Sequence, residues 1–240
     1  MRNRRKTAGI FRDVLAALAA ALMVVGGPGA APRPGSGQAA LPQTAKPADA
    51  GWQQLFDGTT LTGWTQVPDG NWAVVDGAMK ATGKGRGYIA TNENYSHYRL
   101  LFSLKPGGTG GHKPTVLIFN TTLPNKLDAA GGIQFQPPNG GTWDYRPGKN
   151  NAGKGLFMKV GSPGAAGADG YVQCEIIANA ATGEAKMACG GKDVLHFKDM
   201  TAGKKGPFAI QTHNSKISDA YKDLSVEEGI TSDDYVTVKP

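Results

Sequence analysis

Asn71–Ala81 reads NWAVVDGAMKA, and this stretch decides the fold class. Asp76-Gly77 suits a two-residue hairpin turn, because both central residues of that turn take positive φ, which glycine and aspartate tolerate. Asn71–Val75 and Ala78–Ala81 are its arms. Outward from this hairpin the chain reads as strand after strand. Leu55–Trp64, upstream, is a turn-rich entry segment. Downstream, the expected strands are Gly87–Thr91, Tyr98–Lys105, Thr115–Asn120, Gly132–Gln136, Gly155–Val160, Tyr171–Asn179, Lys186–Cys189, Val194–Phe197, Phe208–His213 and Tyr221–Glu227. No stretch after residue 50 keeps a helical period. The 35 glycines and 15 prolines show no Gly-X-Y repeat and punctuate short strands instead. The fold is therefore expected to be all-β, a two-sheet sandwich or jelly roll. Under about a tenth of the mature chain is expected in helix.

The N-terminus has a different composition. Met1–Lys6 is basic, Val14–Val25 is apolar, and small residues follow, with cleavage sites after Ala31 or after Ala39. This order reads as a signal peptide over residues 1–39, and the apolar run is short for a membrane span. An N-terminal anchor is the other reading. Arg4-Arg5 raises twin-arginine export, although the apolar residues usual after that pair are missing. Residues 40–50 are rich in Ala, Pro, Gln and Thr and read as a linker, followed by one domain over 51–240. The mature protein is expected to start between Pro32 and Gly51, to be secreted or periplasmic, and to have no stable membrane span.

Residues 1–39 hold six basic side chains against Asp13, a net of +5 within the chain's +7. Only +2 remains from Ala40 onward, so no dense basic patch is left for nucleic acid. Cys174 and Cys189 fit no metal motif. If Asn179 pairs with Glu184 across the Thr-Gly turn, the two cysteines lie directly opposite, and export favours a disulfide. A bulge at Gly183 would put them on opposite faces, leaving two small core residues.

Strand parity separates polar from apolar faces. Gln134 and Gln136 oppose Ile133 and Phe135. Gln173, Glu175, Ile177 and Asn179 oppose Val172, Cys174, Ile176 and Ala178. Gln211 and His213 oppose Phe208, Ile210 and Thr212. If these strands share a sheet, amides, one carboxylate and one imidazole gather on its open face. Carboxamides both donate and accept, as sugar hydroxyls do. Glu175 and His213 are then the acid/base candidates, with Gln134, Gln136 and Gln211 as binders. An ordinary solvated outer face is the competing reading. Pro137–Lys154 is long and polar; it reads as a rim or lid bearing Trp143, Tyr145 and Arg146, or as a structural loop. His97, His112 and His196 are isolated. No nucleophile elbow, phosphate loop, dinucleotide fingerprint or paired-carboxylate strand is present.

Leu55–Trp64 (LFDGTTLTGW) resembles the "L-F-[ND]-G-x-x-L-x-G-W" opening of the 3-keto-disaccharide hydrolase family, whose domain is also described as 3-keto-glucoside 1,2-lyase/3-keto-2-hydroxy-glucal hydratase. Trp72–Gly77, Gly87–Thr91 and Tyr95–Phe102 are similar to its next segments. Gly206–His213 resembles "G-P-i-x-L-Q-x-H", and Tyr221–Val226 its closing strand. The resemblance runs from about Gly51 to Glu227. Three places depart from it: Gln134-Phe135-Gln136 stands where the family carries Glu-x-Gln, Pro114–Asn120 lacks the family's arginine, and the Trp143–Lys149 loop is not the common pattern.

The resemblance implies a concanavalin-like jelly roll and a 3-keto-glycoside substrate, cleaved by elimination across C1–C2 and then hydrated. No cofactor is evident, and the chemistry admits a divalent metal. A non-catalytic carbohydrate-binding module on the same fold is the alternative, and the missing glutamate favours it.

Overall fold

The computed structural model describes residues 51–239 except 110, 112–113, 120–130 and 154. The expectations for residues 1–50 and for His112 lie outside the described residues. Among the described residues there is no helix, and so none long and apolar enough to cross a membrane.

Fifteen strands are described: β1 (Trp52–Gln54), β2 (Trp64–Val67), β3 (Trp72–Val75), β4 (Ala78–Ala81), β5 (Gly87–Thr91), β6 (His97–Lys105), β7 (Thr115–Ile118), β8 (Ile133–Gln136), β9 (Gly141–Asp144), β10 (Phe157–Lys159), β11 (Val172–Asn179), β12 (Glu184–Cys189), β13 (Lys192–Lys198), β14 (Ala209–Thr212) and β15 (Ala220–Glu228). They form two antiparallel sheets. The nine-stranded sheet runs β10-β13-β12-β11-β6-β15-β4-β3, with β1 also paired to β15. The six-stranded sheet runs β2-β5-β14-β7-β8-β9.

The hairpin forms where its turn chemistry predicts. Val75 pairs with Ala78, and Asp76 and Gly77 take φ of 52° and 72°. Glycine bears this conformation without the steric cost a Cβ brings. Asn179 pairs with Glu184, so no bulge intervenes at Gly183, Cys174 faces Cys189, and the disulfide closes between them.

Alternation supplies the core. Leu100, Phe102 and Leu104 of β6 and Val172, Cys174 and Ile176 of β11 face inward from one sheet. Ile210, Val116, Ile118, Ile133 and Phe135 meet them from the other. Each such side chain taken out of water contributes about 1.5–3 kcal/mol. Phe208 ties the sheets together, its ring centroid 5.9 Å from Tyr98 and 5.3 Å from Tyr95.

Three strands escape the alternation reading: β1, β2 and β9. The last corrects the Pro137–Lys154 loop, because Gly141–Asp144 turns straight back to pair with β8. The Leu55–Trp64 segment is a structural corner. The Asp57 carboxylate accepts the Thr59 and Thr60 amides at 2.7 Å each. Those amide bonds, the Thr60 one first, lower its pKa to about 2. The Trp64 indole N–H donates to the Leu55 carbonyl at 2.7 Å.

Candidate functional site

The six-stranded sheet has a polar-aromatic outer face. Ile210, Val116, Ile133 and Phe135 point into the core. Their neighbours along each strand therefore point out. Register fixes two rows across this face. One runs through Val67, Tyr88, Gln211 and Thr115. The next runs through Thr65, Ala90, Ala209, Leu117, Gln134 and Trp143. Tyr88, Ala90, Leu117, Ala209 and Tyr145 pack together there, with Val67 and Trp143 against them.

Among these apolar contacts sit two buried carboxamides, Gln134 at 3% exposure and Gln211 at 2%. The Thr115 hydroxyl donates to Gln211 Oε1 at 3.2 Å. Gln136 is half-buried at the edge, its carboxamide lying over Gly141, where a Cβ would displace it. His213 follows β14 by one residue and shares the parity of Gln211; it too is half-buried. Trp143 lies directly opposite Gln134, and its indole N–H donates to Asn150 Oδ1 at 3.1 Å. The Tyr145 ring is 6.3 Å from that of Trp143. Burial raises the Tyr88 phenol, which stays a neutral hydrogen-bonding group at ordinary pH.

The structure thus brings together Gln134, Gln136, Gln211, Trp143 and Tyr145 on one sheet, with His213 two residues beyond Gln211 in the chain. It removes two expected members. Glu175 is on β11 in the other sheet, fully buried and facing away from the core. There it accepts from the Thr237 amide at 2.9 Å and the Thr237 hydroxyl at 2.6 Å. The expectation that Glu175 and His213 share a face is corrected, because the two strands join different sheets. Arg146 is also withdrawn from the rim. Its guanidinium holds both oxygens of buried Asp144, at 3.0 and 2.8 Å, and reaches Asp199 at 2.9 Å.

Tyr88 and Thr115 are members that the strand reading missed. Tyr88 precedes the core residue Ile89 by one, so parity inside Gly87–Thr91 would have found it. Thr115 gives no such signal, because its value lies in a bond to another strand. His97 and His196 bind Asp233 at 2.8 Å and Asp193 at 2.7 Å, away from this face.

Among the described residues no group of three His, Cys, Asp or Glu side chains converges to hold a metal ion. Amides, hydroxyls and one imidazole are a poor donor set for a hard divalent cation, which prefers carboxylate oxygens. The described residues of the face do not supply the oxygen-ligand set such an ion needs.

One buried acid lies elsewhere. Asp219 is 1% exposed, two residues ahead of the core residue Tyr221. Burial raises its pKa to about 6, although its Oδ1 accepts the Gly107 amide at 2.8 Å. A raised folded-state value means the folded protein holds this proton more tightly between the ordinary carboxylate range and pH 6. The group's contribution is fully present at acid pH and is lost as pH rises through about 6. Asp219→Asn keeps an acceptor for Gly107. It is expected to be more stable than wild type at pH 8, with the advantage gone below pH 4, as read by urea denaturation at the two pH values. An advantage independent of pH would show that burial of charge at Asp219 is not its source.

Comparison with known proteins agrees with this architecture. Residues 51–227 match the model of the 3-keto-alpha-glucoside-1,2-lyase-like domain family. No curated protein matches the chain in sequence. A Parabacteroides distasonis structure provisionally described as a glycosyl hydrolase is 16% identical, with a TM-score of 0.50 over 74% of this chain and 94% of its own. The exoplasmic/lumenal domain of VIP36, solved with Ca2+ and Man3GlcNAc bound, is 8% identical, with a TM-score of 0.50 over 75% of this chain and 90% of its own. At such identities the likeness is one of fold, that of a concanavalin-like jelly roll.

Proposed function

Because the chain belongs to the 3-keto-alpha-glucoside-1,2-lyase-like family, we propose that it cleaves 3-keto-glycosides by elimination across C1–C2 followed by hydration, at the outer face of the six-stranded sheet. The observation that carries this reading is the make-up of that face. It has three carboxamides, two aromatic rings at its edge, one imidazole and, among the described residues, no carboxylate. A two-carboxylate glycosidase needs a pair of such groups flanking the bond. An elimination beside a ketone needs less.

The C3 ketone acidifies the C2 proton. His213 takes that proton, and the electron pair moves toward the C3 oxygen as an enolate. The Gln211 carboxamide supplies an N–H donor to that oxygen. The enolate then collapses, C3=O re-forms, a C1=C2 double bond appears, and the C1 substituent leaves with the bonding pair and is protonated. Water then adds its hydroxyl to C1 and a proton to C2. The sum is hydrolysis. The leader read in residues 1–39 and the disulfide between Cys174 and Cys189 support export to an oxidising compartment as part of the same reading.

The test is to incubate the protein with a 3-keto-glucoside in D2O, with and without Mn2+ or Ca2+, beside a protein-free control. Aglycone release with deuterium at C2 above the control is expected. Release without that deuterium would point to direct displacement and overturn the elimination. Binding without release would make the protein a carbohydrate-binding module.

A further inference from the structure

We propose that Gln211 and Gln134 read the ligand with opposite hydrogen-bond polarity, and that this fixes which way round a 3-keto sugar lies on the sheet. The inference rests on the sugar-processing reading of this face. Thr115 Oγ1 stands 3.2 Å from Gln211 Oε1 and 3.5 Å from the Gln211 carbonyl oxygen. Both are acceptors, so the hydroxyl donates. That bond turns the Gln211 carboxamide so that Nε2 points away from Thr115, where it has no partner among the described residues. Gln134 has the complementary deficit, a buried Oε1 that nothing among the described residues donates to. Both side chains are more than nine-tenths buried. A buried donor or acceptor without a partner is costly, so each atom gains most from a ligand group of the matching kind.

The two atoms ask for different groups. Gln211 Nε2 needs an acceptor, which a ketone oxygen supplies. Gln134 Oε1 needs a donor, which a ketone cannot supply and a hydroxyl can. The carboxamides stand on β14 and β8, separated by β7, about 10 Å between strand axes. A sugar ring lying across β7 then has its keto edge toward Gln211 and its hydroxyl edge toward Gln134 and Trp143. His213 is two residues beyond Gln211 at the same parity. The Gln134 row lies on the other side of Gln211 from His213, so the keto edge is the one nearer the imidazole and the hydroxyl edge lies against the indole.

Two isosteric substitutions separate the roles. Gln211→Glu keeps an oxygen for Thr115 and replaces the ligand-facing donor by an acceptor. It is expected to weaken binding of a 3-keto-glucoside roughly 10- to 100-fold. Gln134→Glu keeps the acceptor toward the ligand and is expected to lose several-fold less affinity than Gln211→Glu. Dissociation constants come from the change in tryptophan fluorescence, with melting curves as the folding control. A ligand-side measurement needs no variant: a 3-deoxy-glucoside lacks the C3 oxygen and is expected to bind wild-type protein roughly 10- to 100-fold more weakly than the 3-keto sugar. Equal losses in the two variants, or a larger loss in Gln134→Glu, would overturn the polarity assignment, as would equal affinity for the deoxy and keto sugars. Wild-type protein that binds none of these sugars would instead bring down the reading of the face itself.

Discussion

His213→Ala is expected to slow turnover of a 3-keto-glucoside about 10²–10⁴-fold, the usual cost of losing one acid/base group. The melting temperature is expected to stay within a few degrees of wild type, because His213 lies half-buried beyond the end of β14 rather than in the core. The affinity for unreacted sugar is expected to change less than the rate, since a base acts on the transition state more than on the ground state. Steady-state kinetics, sugar binding and thermal melts on the same preparations give the three readouts. A loss of turnover that merely follows a loss of folded protein would make His213 a structural residue. Unchanged turnover would remove it from the mechanism.

Glu175→Ala is expected to behave in the opposite way, destabilising the fold by about 3–5 kcal/mol while leaving turnover per folded molecule intact. Arg99 Nε lies 2.9 Å from Glu175 Oε1, with side-chain exposures of 7% and 0%. The same guanidinium pairs with Glu227 and donates to the Ser232 and Asp234 carbonyls at 3.0 and 2.8 Å. Glu175 in turn accepts the Val236 amide at 3.1 Å and both the amide and hydroxyl of Thr237. Tyr235 completes the strap, its hydroxyl donating to Asp193 at 2.9 Å and its ring 4.3 Å from Lys186 Nζ. The C-terminal segment is therefore held on the outer face of the nine-stranded sheet, with the buried Arg99–Glu175 pair at the centre of its contacts. Removing the carboxylate leaves Arg99 short of a partner and two amides without an acceptor. For a domain of this size the melting temperature falls about 2–4 °C per kcal/mol. A fall of about 6–20 °C is therefore expected. Glu175→Gln, which keeps an acceptor, is expected to lose less. A Glu175→Ala protein that melts like wild type but has lost turnover would return Glu175 to the chemistry.

Much of the fold was legible locally. The alternation in Tyr171–Asn179 put Cys174 and Ile176 on one side and Glu175 on the other, and they are so placed. Asp76-Gly77 announced its hairpin. The Asn179–Glu184 pairing was written into a short turn, and it carried the cysteine alignment with it. Strand β9 was hidden by composition. Gly141-Thr142-Trp143-Asp144 sits among prolines, glycines and asparagines and becomes a strand because β8 offers it a free edge. Arg146 looked like a rim residue because nothing in the chain order tells whether a guanidinium reaches a ligand or turns back on Asp144 two residues earlier.

The sequence by itself determined the β class, the hairpin turn, the disulfide register and the side of its own strand on which each polar side chain stands. All of these follow from φ/ψ preference and a two-residue period, which act between neighbours in the chain. Only the tertiary structure decided which sheet each strand joins. β11 pairs with β6 and β12, whereas β14 pairs with β5 and β7. These partners are distant in sequence, and the parity of one strand carries no information about the parity or sheet of another. Glu175 was placed on the right side of its strand, yet that strand belongs to the sheet opposite the one that leads to His213. The carboxylate became the anchor of a strap, and the imidazole stayed with the glutamines.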